Sequence, residues 1–279
     1  MLNPSVSQLS KLSKSFLPIL GTILLGNICC ITPFDSPPPS SLSFCRCAFD
    51  WQQSCSRSFH QYAVQWPTQA LNWSKRRQAE YLAGRYCAIK ALAAINPHNP
   101  LRATNQLPIR DDYSPQWPQG TVGSISHSHN QAIAIAAPAT DFVGLGIDCE
   151  TALSDSAGAE IASWVLHPDD LNCKIDIAIG YGPLITLLFS AKESLFKALA
   201  PGHKSTPAFG DFLASVSVSR VTAKTVVLNI EVGLNGRRTL KSPFEPSCCE
   251  PSSFELSYSI DQGLIMTMAL LRSHVPELL

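Results

Sequence analysis

This sequence is poor in charge. Only 15% of its 279 residues are Asp, Glu, Lys or Arg, and the formal net charge is zero. Ordinary soluble chains carry roughly a quarter. Without a net field there is nothing global to hold nucleic acid or an anionic membrane, so any basic site must be local. A long unbroken apolar run is also missing. The stretch SFLPILGTILLGNICCITPF follows Lys11 and Lys14 in the manner of a signal peptide, but Pro18, Gly21, Gly26 and Asn27 interrupt it. A membrane-spanning helix needs about 20 continuous apolar residues, and no A-x-A cleavage site follows. The segment is expected to be buried, with a strand over residues 27–34. No short repeat is present, which excludes a repeat array.

Nor do the ten cysteines form a spaced framework. Two adjacent pairs, 29–30 and 248–249, suit no disulfide scaffold, and Cys87 and Cys149 fall inside apparent regular elements. Cys45, Cys47, Cys55 and His60 make a loose metal-like cluster, but the paired CxxC spacing of a structural zinc site is lacking. Reduced thiols in a cytosolic protein are expected.

What is present is a core. Hydrophobic residues make up 45% of the chain, and the length suits one large domain or two ordinary ones. Residues 35–58, rich in Ser and Pro, read as a connection. The run SKRRQAEYLAGRYCAIKALAAI predicts a helix over 74–95, with Ser74 as its cap. Residues 97–120 hold five prolines and little periodicity. TVGSIS, AIAIAA and FVGLGIDCE predict strands, and helices are predicted over 156–166 and 184–200. FLASVSVSR, TVVLNIEV, FELSYSI and LIMTMALL alternate at period two and predict antiparallel strands, the last two joined at Asp261-Gln262-Gly263. Helix followed by strands occurs twice. An α+β fold of two similar halves is expected, 1–140 and 141–279, with the site between them.

Four stretches carry candidate chemistry. In GLGIDCE, alternation puts Gly146, Asp148 and Glu150 on one strand face. The two carboxylates, about 7 Å apart, repel unless a cation lies between them. Hard cations such as Mg2+ take oxygen ligands and share them with phosphates. In LLFSAKESLFKAL, Glu193 and Lys197 are helical neighbours at i and i+4, opposite a stripe of Leu188, Ala191, Leu195 and Leu199. Phe189 and Phe196 fall beside the charges, so the ionic face is expected to be partly buried and completed by a polar ligand. In GSISHSH, Ser126 and His127 offer a hydroxyl, an imidazole and strand-end N–H groups suited to phosphate. Arg76 and Arg77 stand in the first turn of the 74–95 helix, with Arg85 two turns on. Cations there oppose the helix dipole and are better placed with an anion nearby. Against each stands a plain solvated face or a satisfied structural residue.

In this order the motifs GSISHS, GLGIDCE and FSAKESLFKAL resemble the signature of the Sfp-type 4′-phosphopantetheinyl transferases. The upstream KRRQAEYLAGRYCA and PQWPQGTVGSISH runs are similar to the enterobactin-synthase component D subgroup. The resemblance covers residues 70–215 and is poor before residue 60. It implies a pseudo-symmetric monomer of two α/β halves that binds coenzyme A and Mg2+ in the cleft. The implied activity moves the phosphopantetheine arm of coenzyme A onto a serine of an apo carrier protein, releasing adenosine 3′,5′-bisphosphate.

By position, Asp148, Glu150 and Glu193 resemble the Mg2+ ligands, and Lys197 the lysine on the pyrophosphate. Lys192 matches a second motif lysine near a phosphate. Ser126 and His127 resemble coenzyme-phosphate contacts. Arg76, Arg77 and Arg85 match residues engaging the nucleotide and its 3′-phosphate, and Arg110 lies near a phosphate-binding position. Glu193, or a metal-bound water it holds, would accept the serine proton. The carrier is expected to dock beside the helices of 155–200, with 168–183 as a variable region and apolar contacts dominant. A degenerate relative that only binds nucleotide or carrier is the alternative reading, and a secreted, disulfide-bonded protein is the other rival.

Overall fold

The structure, a computed structural model, describes residues 25–29, 39–53, 56–95, 106–111, 113–199, 209–213, 216–230 and 254–272. The signal-like run before residue 25, most of the 27–34 strand prediction, Cys55 and the 234–252 segment lie outside them. Among the described residues are ten strands and five α-helices in mixed order, so the chain is α+β. No described helix is long and apolar enough to cross a membrane.

The first sheet has the order β1-β2-β4-β3, with β1 at Leu25–Cys29, β2 at Ser43–Phe49, β3 at Thr121–Ser128 and β4 at Gln131–Pro138. The β2 strand corrects the sequence reading, which took 35–58 as a connection. Its SFCRCAF alternation is short and follows a Pro-rich run, and its partner β4 lies more than 80 residues away, so no local signal marks it. Helix α1, Ser56–Gln61, also falls within that stretch. Helix α2, Lys75–Ile95, covers the sheet. β4 is buried on both faces: Ala132, Ala134 and Ala136 lie under α2, where small side chains admit a helix closely, while Ile133 and Ile135 point to the opposite face.

The second sheet has the order β5-β10-β9, formed by Phe142–Thr151, Leu264–Arg272 and Phe254–Asp261. The β9–β10 hairpin turns on Gln262 and Gly263, both at positive φ, as a tight hairpin needs. Helices α3, Asp155–Val165, and α4, Tyr181–Leu199, follow β5. α4 starts three residues earlier than predicted, with Pro183 in its first turn, where a missing N–H costs nothing. A third core cluster joins Ile133 and Ile135 of β4 to Leu145, Ile147 and Cys149 of β5 and Met266, Met268 and Leu270 of β10.

A smaller third sheet, β6-β7-β8, combines Lys174–Ile175, Val216–Val221 and Val226–Ile230. Its first pair, to the short β6 that the sequence reading does not predict, is parallel, while β7–β8 and β9–β10, the four period-two segments, pair antiparallel as expected. The predicted FLASVSVSR strand begins only at Val216. Before it, Phe209–Leu213 forms helix α5. Phe209 and Phe212 explain the aromatic residues beside the charges of α4: the Phe196 ring lies 5.1 Å from Phe209 and 5.3 Å from Phe212, and Phe189 lies 5.9 Å from Phe209. These rings are core packing.

Candidate active site

β3 and β5 are edge strands of two different sheets, and they run side by side. An edge strand presents unpaired N–H groups. Here alternate serines of β3 meet them: Ser124 Oγ accepts from Ile147 N at 3.0 Å and Ser126 Oγ from Cys149 N at 3.3 Å. Hydroxyls thereby stitch the two sheets together at the site.

The other face of β5 receives α4. Gly144 and Gly146 leave no side chain in the way; a Cβ on Gly146 would fall 1.7 Å from the Ser194 carbonyl oxygen, and one on Gly144 2.1 Å from that of Ala198. This close seat brings Lys197 Nζ to 2.7 Å from Asp148 Oδ1 and 3.1 Å from Glu193 Oε2. Ser126 Oγ donates to the same Asp148 oxygen at 2.8 Å, and Ser128 Oγ to Glu150 Oε2 at 3.4 Å. The second Asp148 oxygen, Oδ2, is buried and has no hydrogen-bond partner among the described residues. Burial, reinforced by the charge of Asp148, pushes the Glu150 carboxyl up to about 7. Burial opposes the charge on Lys197, but Asp148 and Glu193 outweigh it and hold the ammonium above its ordinary range.

The alternate face of β3 looks toward α2. Arg77 Nη1 lies 3.1 Å from His127 Nε2. A guanidinium has no acceptor, so Nε2 accepts and Nδ1 carries the proton, 3.9 Å from Glu80 Oε2. Burial lowers the His127 pKa, favouring the neutral ring. Glu80 also pairs with Arg76 at 3.0 Å and Arg77 at 3.6 Å. The sequence reading missed Glu80, although its i+3 and i+4 spacing from the two arginines was a usable signal. Arg85 is buried further along α2, its guanidinium carbon 4.7 Å from the Tyr81 ring centre. Among the described residues its Nε has no hydrogen-bond partner, and it lines a pocket of about 230 Å³ with Tyr81, Trp66 and Ile109. Burial lowers its pKa. Arg110 follows Ile109 in a narrow hairpin.

Lys192 is a correction. It is fully buried, donating to Asp170 Oδ2 at 2.7 Å and to the Val165 carbonyl at 2.8 Å. Asp170 in turn accepts from the backbone N–H groups of His167 and Val218. On α4, Lys192 stands beside Glu193 in sequence but is turned about 100° away around the helix, so it faces the core and not a phosphate. Ser126 also departs from the expectation, since its hydroxyl is turned to Asp148. The loose thiol cluster resolves likewise: Cys45, Cys47 and Cys87 are buried thiols in no disulfide, with Cys87 Sγ 3.3 Å from Cys47 Sγ, while His60 is exposed. Among the described residues no group of three or more His, Cys, Asp or Glu side chains is arranged in this structure to hold a metal ion. Lys197 occupies the space between two of the carboxylates.

Comparison with known proteins gives this arrangement its class. A family model described as the 4′-phosphopantetheinyl transferase N-terminal domain matches residues 66–137, and one described as the 4′-phosphopantetheinyl transferase superfamily matches 144–240. The chain belongs to the 4′-phosphopantetheinyl transferase superfamily. It is 36% identical over 199 residues to the 4′-phosphopantetheinyl transferase Svp of Streptomyces mobaraensis, covering 69% of this chain and 71% of that protein. It is 32% identical over 146 residues to enterobactin synthase component D of Salmonella typhi, and 30% over 177 residues to that of Salmonella austin. These matches cover 51% and 62% of this chain, and 58% and 68% of the relatives' lengths.

Proposed function

We propose that this protein transfers the 4′-phosphopantetheine arm of coenzyme A to a serine of an apo acyl or peptidyl carrier protein and releases adenosine 3′,5′-bisphosphate. The observation that carries the reading is the convergence of Asp148, Glu150, Glu193 and Lys197 where α4 seats on β5, within the segment matched by the superfamily. In the reaction the carrier serine oxygen bonds to the phosphorus bearing the arm, and the P–O–P bridge breaks toward the nucleotide.

The donor set supports Mg2+. Three oxygen-bearing acids face one region, and one buried oxygen of Asp148 lacks a donor, which suits a hard divalent cation. Asp148, Glu150 and Glu193 would hold it, and when bound it would neutralise charge on the coenzyme phosphates. Lys197, charged throughout the neutral range, stabilises charge developing on the departing phosphate. Arg77, half-exposed beside His127, attracts the anionic coenzyme from the N-terminal side. Arg85 with its pocket, together with Arg76 and Arg110, supports nucleotide binding by the 1–140 half. Glu193, partly exposed on the reactive face of α4, accepts the serine proton or orients a water that does so. The 141–279 half then supplies the metal ligands and the carrier surface, where Trp164, Ile175 and Tyr181 are exposed apolar side chains. Similarity to enterobactin synthase components supports a siderophore-type carrier, and the protein acts as a cytoplasmic monomer.

Incubation with coenzyme A, Mg2+ and an apo carrier should add about 340 Da to the carrier, the mass of the arm moved by phosphoryl-group transfer. Absence of that shift across siderophore, polyketide and fatty-acid carriers would overturn the reading.

A further inference from the structure

We propose that Ser126 is a positioning residue for Asp148, selecting which of its two oxygens is left open to a cation. Asp148 Oδ1 can only accept, so the 2.8 Å contact uses the one hydrogen of the Ser126 hydroxyl. The two lone pairs of Ser126 Oγ receive Cys149 N at 3.3 Å and Lys197 Nζ at 3.3 Å. That exhausts the hydrogen-bonding capacity of a hydroxyl. A phosphate oxygen needs a donor, and Ser126 has none to give it.

The effect on Asp148 is asymmetric. Oδ1 takes two donors, Ser126 and Lys197, while Oδ2 is buried with none. A carboxylate held by one oxygen cannot rotate to satisfy the other, so the free valence is fixed in direction. Ser128 repeats the relation two residues on, toward Glu150. Ser124, two residues back, bridges to β5 in the same way, accepting from the Ile147 N–H and meeting no carboxylate among the described residues. It therefore serves as an internal control, sharing the sheet-joining role of Ser126 without the carboxylate. The inference rests on the reading of Asp148 as a cation ligand.

The test is a Mn2+ titration of the full chain with coenzyme A present and no carrier, followed by electron paramagnetic resonance. Ser126→Ala should weaken Mn2+ binding about tenfold, the lower end of the cost of losing a partner that orients a metal ligand. Ser126→Thr, which keeps the hydroxyl, should restore most of it. Ser124→Ala should lower the melting temperature as Ser126→Ala does but leave Mn2+ affinity unchanged. Coenzyme A affinity at saturating Mn2+ should stay within twofold in every variant. If Ser126→Ala does not fold, Ser126→Cys, of similar size and a weak donor, should show the same loss of Mn2+ affinity. Wild-type Mn2+ affinity in the variant, with weakened coenzyme A binding, would overturn the proposal and return Ser126 to the coenzyme. A wild-type protein that binds no Mn2+ would overturn both this proposal and the cation reading beneath it.

Discussion

Lys197 on α4 and Asp148 on β5, 49 positions apart in sequence, meet at 2.7 Å. This ion pair fixes the helix that carries Glu193 against the strand that carries Glu150. It also gives Asp148 a cationic partner, although the Asp148 charge still outweighs that of Lys197 at Glu150.

Asp148→Asn should therefore lose activity on the order of a hundredfold or more, the scale for removing a strong electrostatic contribution. The metal-free protein should also melt lower, because Lys197 loses its nearer anionic partner and keeps Glu193 and the Ser126 hydroxyl; a loss of about 1–3 kcal/mol is expected for such a deletion. Turnover and thermal melting in one variant check both. Full turnover at ordinary Mg2+ would remove Asp148 from the site.

The close seat of α4 predicts that Gly146→Ala is badly tolerated. Its Cβ would meet the Ser194 carbonyl at 1.7 Å, and backbone cannot yield as a side-chain tip can. Overpacking of this kind costs about 1–3 kcal/mol or more, and the displaced helix should lower kcat more than coenzyme A affinity. Gly210→Ala, in α5 with open space around its Cβ, should be neutral or stabilising. Equal effects of the two changes would contradict the seat.

Glu150 sets a pH dependence. Its carboxyl is raised from 4.5 to about 7 in the folded protein, so between those values the native state binds more protons than the unfolded chain. Stability of the metal-free protein should then fall as pH rises from about 4.5 to 7, following proton linkage. Cation binding should strengthen over the same window, since a metal competes with that proton. Melting curves from pH 4.5 to 8, with and without Mg2+, should diverge toward high pH, and Glu150→Gln should remove the slope.

Lys192 should behave as a buried anchor. Lys192→Met leaves the Asp170 carboxylate buried without its cation and should destabilise by about 3–5 kcal/mol. Adding Asp170→Asn should recover a large part, because the charge is gone while an acceptor for the Val218 N–H remains. Folded Lys192→Met should keep wild-type coenzyme A affinity by calorimetry. A tenfold weakening in the folded variant would return Lys192 to the phosphates.

Several parts of this arrangement were legible in the sequence for local reasons. The 74–95 helix announces itself by its cap and spacing, and Ser74 Oγ does accept from Arg77 N at 3.2 Å. Alternation in GLGIDCE places Asp148 and Glu150 on one face because a strand has period two, and the i, i+4 relation joins Glu193 to Lys197 because a helix has period 3.6. The order of the three motifs was enough to suggest the superfamily. What the chain could not state locally is which face of each element meets another. Lys192 and Glu193 are sequence neighbours, yet about 100° of helical rotation sends one to Asp170 in the core and the other to Lys197 at the site. Ser126 looks like a phosphate ligand until β5 is laid beside β3, when its one hydrogen goes to Asp148. β2 became a strand through pairing with β1 on one side and with the distant β4 on the other. Periodicity is a property of the backbone and can be read along it. The direction in which a side chain finds its partner is set by packing between elements remote in sequence, and only the tertiary structure decides it.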